Sequence, residues 1–301
     1  MIRQLGFYSL LILVTTSLAY SAGAAGWNYC IDSGKKPSFK QLFMVRHIGN
    51  TITLFNPTGA IAGELFNAKM LIDEGIPEQD AYKSVLLSRA LMAISQLIIF
   101  IVVLVWFMYF LSDRLPVELL YAVYICFFLF LMIVSAAIYL LLKKGKEVTA
   151  LAKDKKWHKF IHRIREMRFL LTEHIRRRPW QTALAFFLFT LHWFLGSLEL
   201  YVILHVLKFD IQIGDGLFLD TVIIVLKSMA TFIPGQLGIE ELINKFVLHL
   251  VGLSSPGLWL SVSILRRSRQ LFWCGMAFIF YMHLKKRKKS VKNYGNTICK
   301  S

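Results

Sequence analysis

Acidic residues, cysteines and prolines are all scarce in this chain of 301 residues. It holds 18 Asp or Glu against 35 Lys or Arg, with only four cysteines and seven prolines. The cysteines show no paired spacing typical of a metal or redox motif, so they indicate no chemistry. Walker loops, nucleophile elbows and paired-carboxylate hydrolase signatures are also missing. We therefore expect no cofactor, no metal and no enzymatic activity.

Apolar residues, in contrast, are abundant. They make up 56% of the chain, whereas charged residues make up 18%, and a soluble domain of this length could not bury so much apolar surface. The uncharged runs Leu91 to Leu111 and Leu119 to Leu142 are each long enough to cross about 30 Å of hydrocarbon. Leu5 to Ile31 is also uncharged, and Trp180 to Leu204 carries only Glu199. These four segments predict membrane spans.

The N-terminus has some features of a cleaved secretory signal. Arg3 precedes an apolar stretch, and small residues follow from Ser21 to Ala25. The apolar stretch is nevertheless longer than a usual signal core, and the rest of the chain continues as a membrane protein. We expect the segment 5–31 to be retained as the first span.

Positive charge is concentrated in two blocks. Residues 143–178 hold thirteen Lys or Arg against four acids, and residues 285–301 hold seven against none. Under the positive-inside rule both blocks lie in the cytoplasm. Their positive charge therefore indicates contact with anionic lipid headgroups and not nucleic-acid binding. Apolar residues at helical spacing from Trp157 to Leu171 predict an amphipathic surface helix in the first block. The chain is thus predicted to be a multi-pass protein of the bacterial inner membrane.

The same rule predicts two segments that enter the membrane and return on the same side. If the span 180–204 runs outward and the span 258–284 runs inward, then residues 216–253 must begin and end outside. Basic residues after the first span place Met1 outside, and residues 41–70 then form a hairpin entering from the cytoplasm. The predicted fold is an all-α polytopic membrane protein, a single domain with about five full spans and two opposed re-entrant helical hairpins.

Each predicted hairpin breaks at a proline, which is followed by two glycines and an acid. Opposed broken helices can form a binding site at the bilayer midplane, where helix N-termini offer free N–H groups to an anion. Alternatively, proline and glycine only end helices, and the acids are ordinary first-turn residues. The matching order favours the first interpretation. The candidate lipid-binding residues are Pro57, Gly63 and Glu64 in one break and Pro234, Gly235, Gly238, Glu240 and Glu241 in the other.

The last span carries three arginines near its middle, Arg266, Arg267 and Arg269. An arginine at that depth costs at least about 2.5 kcal/mol on insertion scales, so it normally faces protein, water, a counter-charge or a headgroup. Two roles remain open. The arginines form structural ion pairs, or one or two of them bind a lipid phosphate. The candidate counter-charges are Glu199, Glu240 and Glu241.

The segment that starts at Pro234 resembles the Pro-Gly-x-x-Gly-x-x-Glu region of a flippase-like membrane family, and the acid of that pattern corresponds to Glu240 or Glu241. This family includes the transmembrane part of lysylphosphatidylglycerol synthases. Arg46 to Glu64 and Ser84 to Arg89 resemble two further family segments, and Leu265 to Arg269 is closest to the branch associated with hopanoid biosynthesis. The resemblance covers about Trp27 to His283. It implies the lipid-translocating half of such synthases without their aminoacyl-transfer domain.

The resulting hypothesis is a flippase or transporter for an anionic phospholipid or an isoprenoid or hopanoid lipid. Membrane lipids are its expected partners, with lipid-biosynthesis enzymes as further candidates. One alternative is a transferase that modifies lipids, with Glu64 or Glu241 as the base. Another is a non-catalytic partner that recruits biosynthetic enzymes through its basic loop.

Overall fold

The computed structural model is predominantly helical and contains no strand in the part of the chain that it describes. That part comprises residues 2–34, 36–56, 60–110, 169–209, 211–229, 236, 238–250, 252–253 and 255–298, together with residues 125, 128 and 132. The helices are α1 (Ile2–Cys30), α2 (Phe39–Phe55), α3 (Ala60–Asp73), α4 (Glu78–Phe110), α5 (Pro179–Val206), α6 (Ile213–Met229), α7 (Ile239–Leu250) and α8 (Pro256–Ile298). Residues 169–177 form a further helical segment.

Three of these helices are long and apolar enough to cross a membrane: Leu10–Cys30, Glu78–Trp106 and Pro179–Val206. They correspond to predicted spans, although α4 begins at Glu78, well before the predicted start at Leu91. Apart from residues 125, 128 and 132, the predicted span 119–142 lies outside the described residues, and so does the basic loop up to residue 168. The helical membrane class is therefore confirmed, while the number of spans stays a prediction.

Helices α2 and α3 form an antiparallel pair within the predicted hairpin 41–70. Ser38 and Gln41 form a capping box that satisfies free N–H groups where α2 begins. Gln41 Nε2 donates a hydrogen bond to Glu74 Oε2 at 3.0 Å. Nearer the break between α2 and α3, Gly63 packs against Gly49. A Cβ atom on Gly63 would overlap the Gly49 carbonyl and the Thr53 hydroxyl. Glycine is thus required for the two backbones to approach so closely.

Helices α6 and α7 form the second pair, within the predicted hairpin 216–253. Lys227 Nζ lies 2.8 Å from Glu240 Oε1, which joins the end of α6 to the start of α7. Gln236 and Gly238, between the helices, have positive φ angles of 50° and 79°. The left-handed conformation is costly for most residues but accessible to glycine. Whether either helix pair enters and leaves the membrane on one side stays a prediction.

Packing of the helices produces two apolar cores that share α8. The first core centres on Trp27, Leu42, Leu71 and Phe189, and Ala277 of α8 contributes to it. The second centres on residues of α5, α6, α7 and α8, and includes Val262. Arg266, Arg267 and Arg269 lie between positions 262 and 277 of α8, so the fold holds them where the two cores meet. The fully buried residues of the second core include Leu200, Ile203, Leu204, Leu219, Ile223 and Leu248.

Candidate functional site

Arg266 joins three helices through one buried side chain. Its Nη2 donates to Asp220 Oδ1 on α6, and its Nη1 lies 3.4 Å from Asn244 Oδ1 on α7. Asn244 in turn donates to Ser263 at 3.3 Å. The Arg266 and Asp220 side chains are only 5% and 3% exposed. A charge buried this deeply needs an ionic partner and hydrogen bonds, and both Nη atoms of Arg266 have such partners.

Arg267 binds the start of α7. Its Nε and Nη2 contact the two oxygens of Glu241 at 2.7 and 3.2 Å, which is the bidentate geometry of a strong charge-assisted pair. Nη2 also donates to the Gln236 carbonyl at 3.0 Å, and Glu240 lies 3.5 Å from Nη1. Acids in a first helical turn are already stabilised by the helix dipole. Arg267 therefore holds the α6–α7 connection against α8.

Arg269 turns toward α1 and α5. Its Nε lies 2.7 Å from Glu199 Oε1, and its side chain also hydrogen-bonds Tyr20. Glu199 is 4% exposed, although it lies in an otherwise uncharged helix. The cost of burying such a carboxylate is offset by its arginine partner. The three arginines thus contact four different helices.

A cavity of about 170 Å³ opens beside these pairs. Its walls carry three cations and two carboxylates, namely Lys227, Arg266, Arg269, Glu199 and Asp220. Pockets for drug-sized ligands are about 300–1,000 Å³, so this space admits a small polar group and not an acyl chain. The remaining lining residues are Thr16, Ala19, Tyr20, His192, Trp193, Gly196 and Ile224.

Five of the predicted site residues come together around α8: Arg266, Arg267, Arg269, Glu240 and Glu241. All three predicted counter-charges are in place, because Glu199 pairs with Arg269 and the two α7 acids face Arg267. These contacts show the ion pairs that were one of the two roles considered for the arginines.

The other candidates are placed differently. Glu64 lies 3.2 Å from Arg89 on α4 and pairs with that residue, and Gly63 packs into the α2–α3 contact. Gly238 immediately precedes α7 and has a positive φ angle. The α2–α3 pair reaches α8 through His47, whose Nε2 donates to the Trp273 carbonyl at 2.9 Å. Pro57, Pro234 and Gly235 lie outside the described residues.

The sequence candidates did not include Asp220, Tyr20 or His192, which all line the cavity. Asp220 offered the clearest signal, since it is an acid within the apolar stretch from Leu217 to Leu226, and such residues mark functional or paired positions. His192 lines the cavity, and its Nδ1 lies 2.6 Å from the Ala19 carbonyl, to which it must donate. Tyr20 and His192 carry no local pattern that distinguishes them from packed aromatic residues.

No cluster of three or more His, Cys, Asp or Glu side chains suited to a metal ion occurs within the described ranges. Buried arginine–carboxylate pairs around a small polar cavity, held by long apolar helices, define a polytopic helical membrane protein with a charged internal site. The chain belongs to the family described as the lysylphosphatidylglycerol synthase TM region, whose model matches residues 2–278. No curated protein and no solved structure matches it. The matched region is a transmembrane region and not a catalytic domain.

Proposed function

We propose that this protein moves a lipid with an anionic headgroup across the bacterial inner membrane. The observation that carries the proposal is the cavity lined by Lys227, Arg266 and Arg269 among apolar helices. Arginine presents a planar fork of donors that matches phosphate, and the low dielectric of this region strengthens such contacts. Family membership supports a lipid-related role. The size of the cavity suits a headgroup, while the lipid tails stay in the surrounding hydrocarbon.

The carboxylates of the site are part of the proposed mechanism. Glu199 and Asp220 neutralise Arg269 and Arg266 when no lipid is bound. An entering phosphate competes with them for the guanidinium donors, and the energy of the lost pair limits how tightly the headgroup binds. Such weak binding is required if the headgroup is to leave again on the other side. Glu240 and Glu241 balance Arg267 and Lys227 in the same way.

The helix breaks would contribute backbone donors. In this proposal the helix breaks predicted at Pro57 and at Pro234, Gly235 and Gly238 lie within the membrane, and Gly63 keeps α2 and α3 close together. Free N–H groups at the helix starts that follow the breaks assist anion binding. Glu64 and Arg89 would form the corresponding pair at the first break. We further propose that the basic loop 143–178 and the segment 285–301 lie in the cytoplasm, as the positive-inside rule predicts. Phosphatidylglycerol, an isoprenoid phosphate or a hopanoid-linked lipid is the expected substrate, and lipid-biosynthesis enzymes are the expected protein partners.

Reconstitution tests the proposal directly. The full chain is inserted into vesicles that contain fluorescent phosphatidylglycerol, an isoprenoid phosphate or a hopanoid, and an impermeant quencher reports each lipid that crosses. We expect protein-dependent movement of at least one anionic lipid and little movement of a zwitterionic phospholipid. If none of the lipids moves faster than in empty vesicles, the proposal is wrong.

Matched variants locate the activity in the cavity. Arg269→Gln removes a charge that lines the cavity, so the rate of anionic lipid movement should fall at least about tenfold, the loss of roughly 1.4 kcal/mol of interaction. Lys245→Gln is the control, because Lys245 is exposed and faces the Trp259 ring away from the cavity residues. That variant should keep the rate of the unmodified protein.

Reversing the charges between Lys155 and Arg165 separates transport from recruitment. A protein that only recruits enzymes through its basic loop would lose function in cells after this change and keep it after Arg269→Gln. A flippase should show the opposite pattern. The comparison uses the lipid composition of the outer leaflet in cells as its measurement.

A further inference from the structure

Arg46 on α2 is a buried cation with unusual surroundings. The residue is only 7% exposed. Its guanidinium carbon lies 5.9 Å from the centre of the Trp27 ring and 5.5 Å from that of Phe189, and its Nη2 lies 3.0 Å from Met92 Sδ. No carboxylate pairs with Arg46 among the residues that the structure describes.

Four other arginines that lie between helices in the described part of the chain have acidic partners. These pairs are Arg89 with Glu64, Arg266 with Asp220, Arg267 with Glu241 and Arg269 with Glu199. The thioether of Met92 is a weak acceptor. A desolvated cation–π contact contributes about 2 kcal/mol or more, but an aromatic ring carries no net charge to neutralise the guanidinium. A buried charge without an ionic partner costs several kcal/mol. Arg46 therefore retains positive charge that the described part of the protein does not balance.

The position of Arg46 connects it to the cavity. A Cβ atom on Gly23 would lie 3.3 Å from both Arg46 Nε and His192 Nδ1, so the two side chains approach each other over a glycine of α1. His192 lines the cavity together with Tyr20, and Tyr20 hydrogen-bonds Arg269. The contact surface between α1 and its neighbours thus carries a row of polar side chains, in the order Arg269, Tyr20, His192 and Arg46. Arg46 lies one side chain beyond the cavity wall.

We propose that Arg46 is a second anion-binding residue, which receives the phosphate of a lipid headgroup that has passed the arginines of α8. This inference rests on the proposed function and adds a second binding position for the headgroup. The arginines of α8 are the first station and Arg46 is the second. Phosphate suits the position because the guanidinium lacks an acidic partner and its planar fork can bind two oxygens at once. Tyr20 and His192 supply polar side chains between the two stations, so the headgroup does not cross an entirely apolar gap.

A ligand role and a structural role for Arg46 predict opposite effects on stability. If Arg46 serves only to bind a ligand, Arg46→Met removes an unbalanced buried charge and keeps an unbranched apolar side chain. The lipid-free variant should then melt at the same temperature as the unmodified protein or higher. If the charge holds the fold together, the same variant should melt several degrees lower or fail to fold.

The experiment measures the melting temperature of the full chain in detergent, first without lipid and then with dioleoylphosphatidylglycerol or dioleoylphosphatidylcholine. We expect phosphatidylglycerol to raise the melting temperature of the unmodified protein and to raise that of Arg46→Met by less than half as much. Arg46→Lys, which keeps the charge but not the fork, should give an intermediate response. Arg177→Met is the matched control, since that side chain is 71% exposed and pairs with Glu173.

The outcomes separate this inference from the proposed function. An equal phosphatidylglycerol response in Arg46→Met and the unmodified protein overturns the role of Arg46 but leaves transport intact. A lower melting temperature or loss of folding in lipid-free Arg46→Met assigns the residue to structure and also overturns the inference. Absence of both a lipid response and lipid movement in the unmodified protein removes the proposed function, and the second station with it.

Discussion

Arg266 on α8 and Asp220 on α6 form an ion pair whose side chains are 5% and 3% exposed. Asn244 on α7 binds the same guanidinium, so one buried charge network connects three helices. Removing either partner leaves the other charge uncompensated in a low-dielectric environment. The pair consequently acts on both the stability of the helix packing and the electrostatics of the adjacent cavity.

The first prediction concerns this pair. Asp220→Ala should destabilise the protein by about 3–5 kcal/mol, the usual cost of leaving one partner of a buried pair unpaired. The double variant Asp220→Leu with Arg266→Met should recover most of the lost stability, because neither charge remains. Denaturation followed by tryptophan fluorescence measures both. Equal destabilisation by the single and double variants would contradict the assignment.

The second prediction concerns the close contact between α2 and α3. Gly63→Ala places a methyl group against the Gly49 carbonyl and the Thr53 hydroxyl, so the helices must separate and the melting temperature should fall by several degrees. Gly275→Ala is the control, since nothing lies within 4 Å of a Cβ at that position. The control should melt at an equal or higher temperature, because alanine is favoured over glycine by about 1 kcal/mol within a helix.

The third prediction separates stability from function at Glu64. Glu64 and Arg89 are each 29% exposed, and a pair that is partly open to solvent contributes about 1 kcal/mol or less. Glu64→Gln should therefore change the melting temperature far less than Asp220→Ala. If Glu64 also takes part in lipid movement, the vesicle assay should show a loss of rate with little loss of stability. A large stability loss would mean that the pair is chiefly structural.

The fourth prediction concerns pH. Burial lowers the pKa of His174 from 6.5, and the nearby Asp32 only partly opposes this effect. The unfolded chain then takes up a proton at a higher pH than the folded protein, so His174 reduces stability as the pH falls below 6.5. His174→Gln should make the melting temperature less sensitive to acidification from about pH 7 to about pH 5. An unchanged slope of melting temperature against pH would rule out this contribution.

Apolar length and charge spacing determined the class of this protein before any contact was known. The uncharged runs at Leu5 to Ile31 and Trp180 to Leu204 became α1 and α5, because burial of backbone polar groups in hydrocarbon leaves little alternative to a helix. Arginines at positions 266, 267 and 269 likewise required partners, since an unpaired charge is costly at that depth. Glu199, Glu240 and Glu241 were the candidate partners that followed from this requirement.

The tertiary structure alone decided which charges share a site and which do not. Asp220 pairs with Arg266, which is 46 positions away in the sequence, while Glu64 pairs with Arg89 on α4. Such choices depend on helix rotation and on the backbone spacing that residues such as Gly49 and Gly63 permit, and these are set by packing of the whole fold. Local sequence determines that a charge must be compensated; only the assembled helices determine what compensates it, and they leave Arg46 without a carboxylate in the described structure.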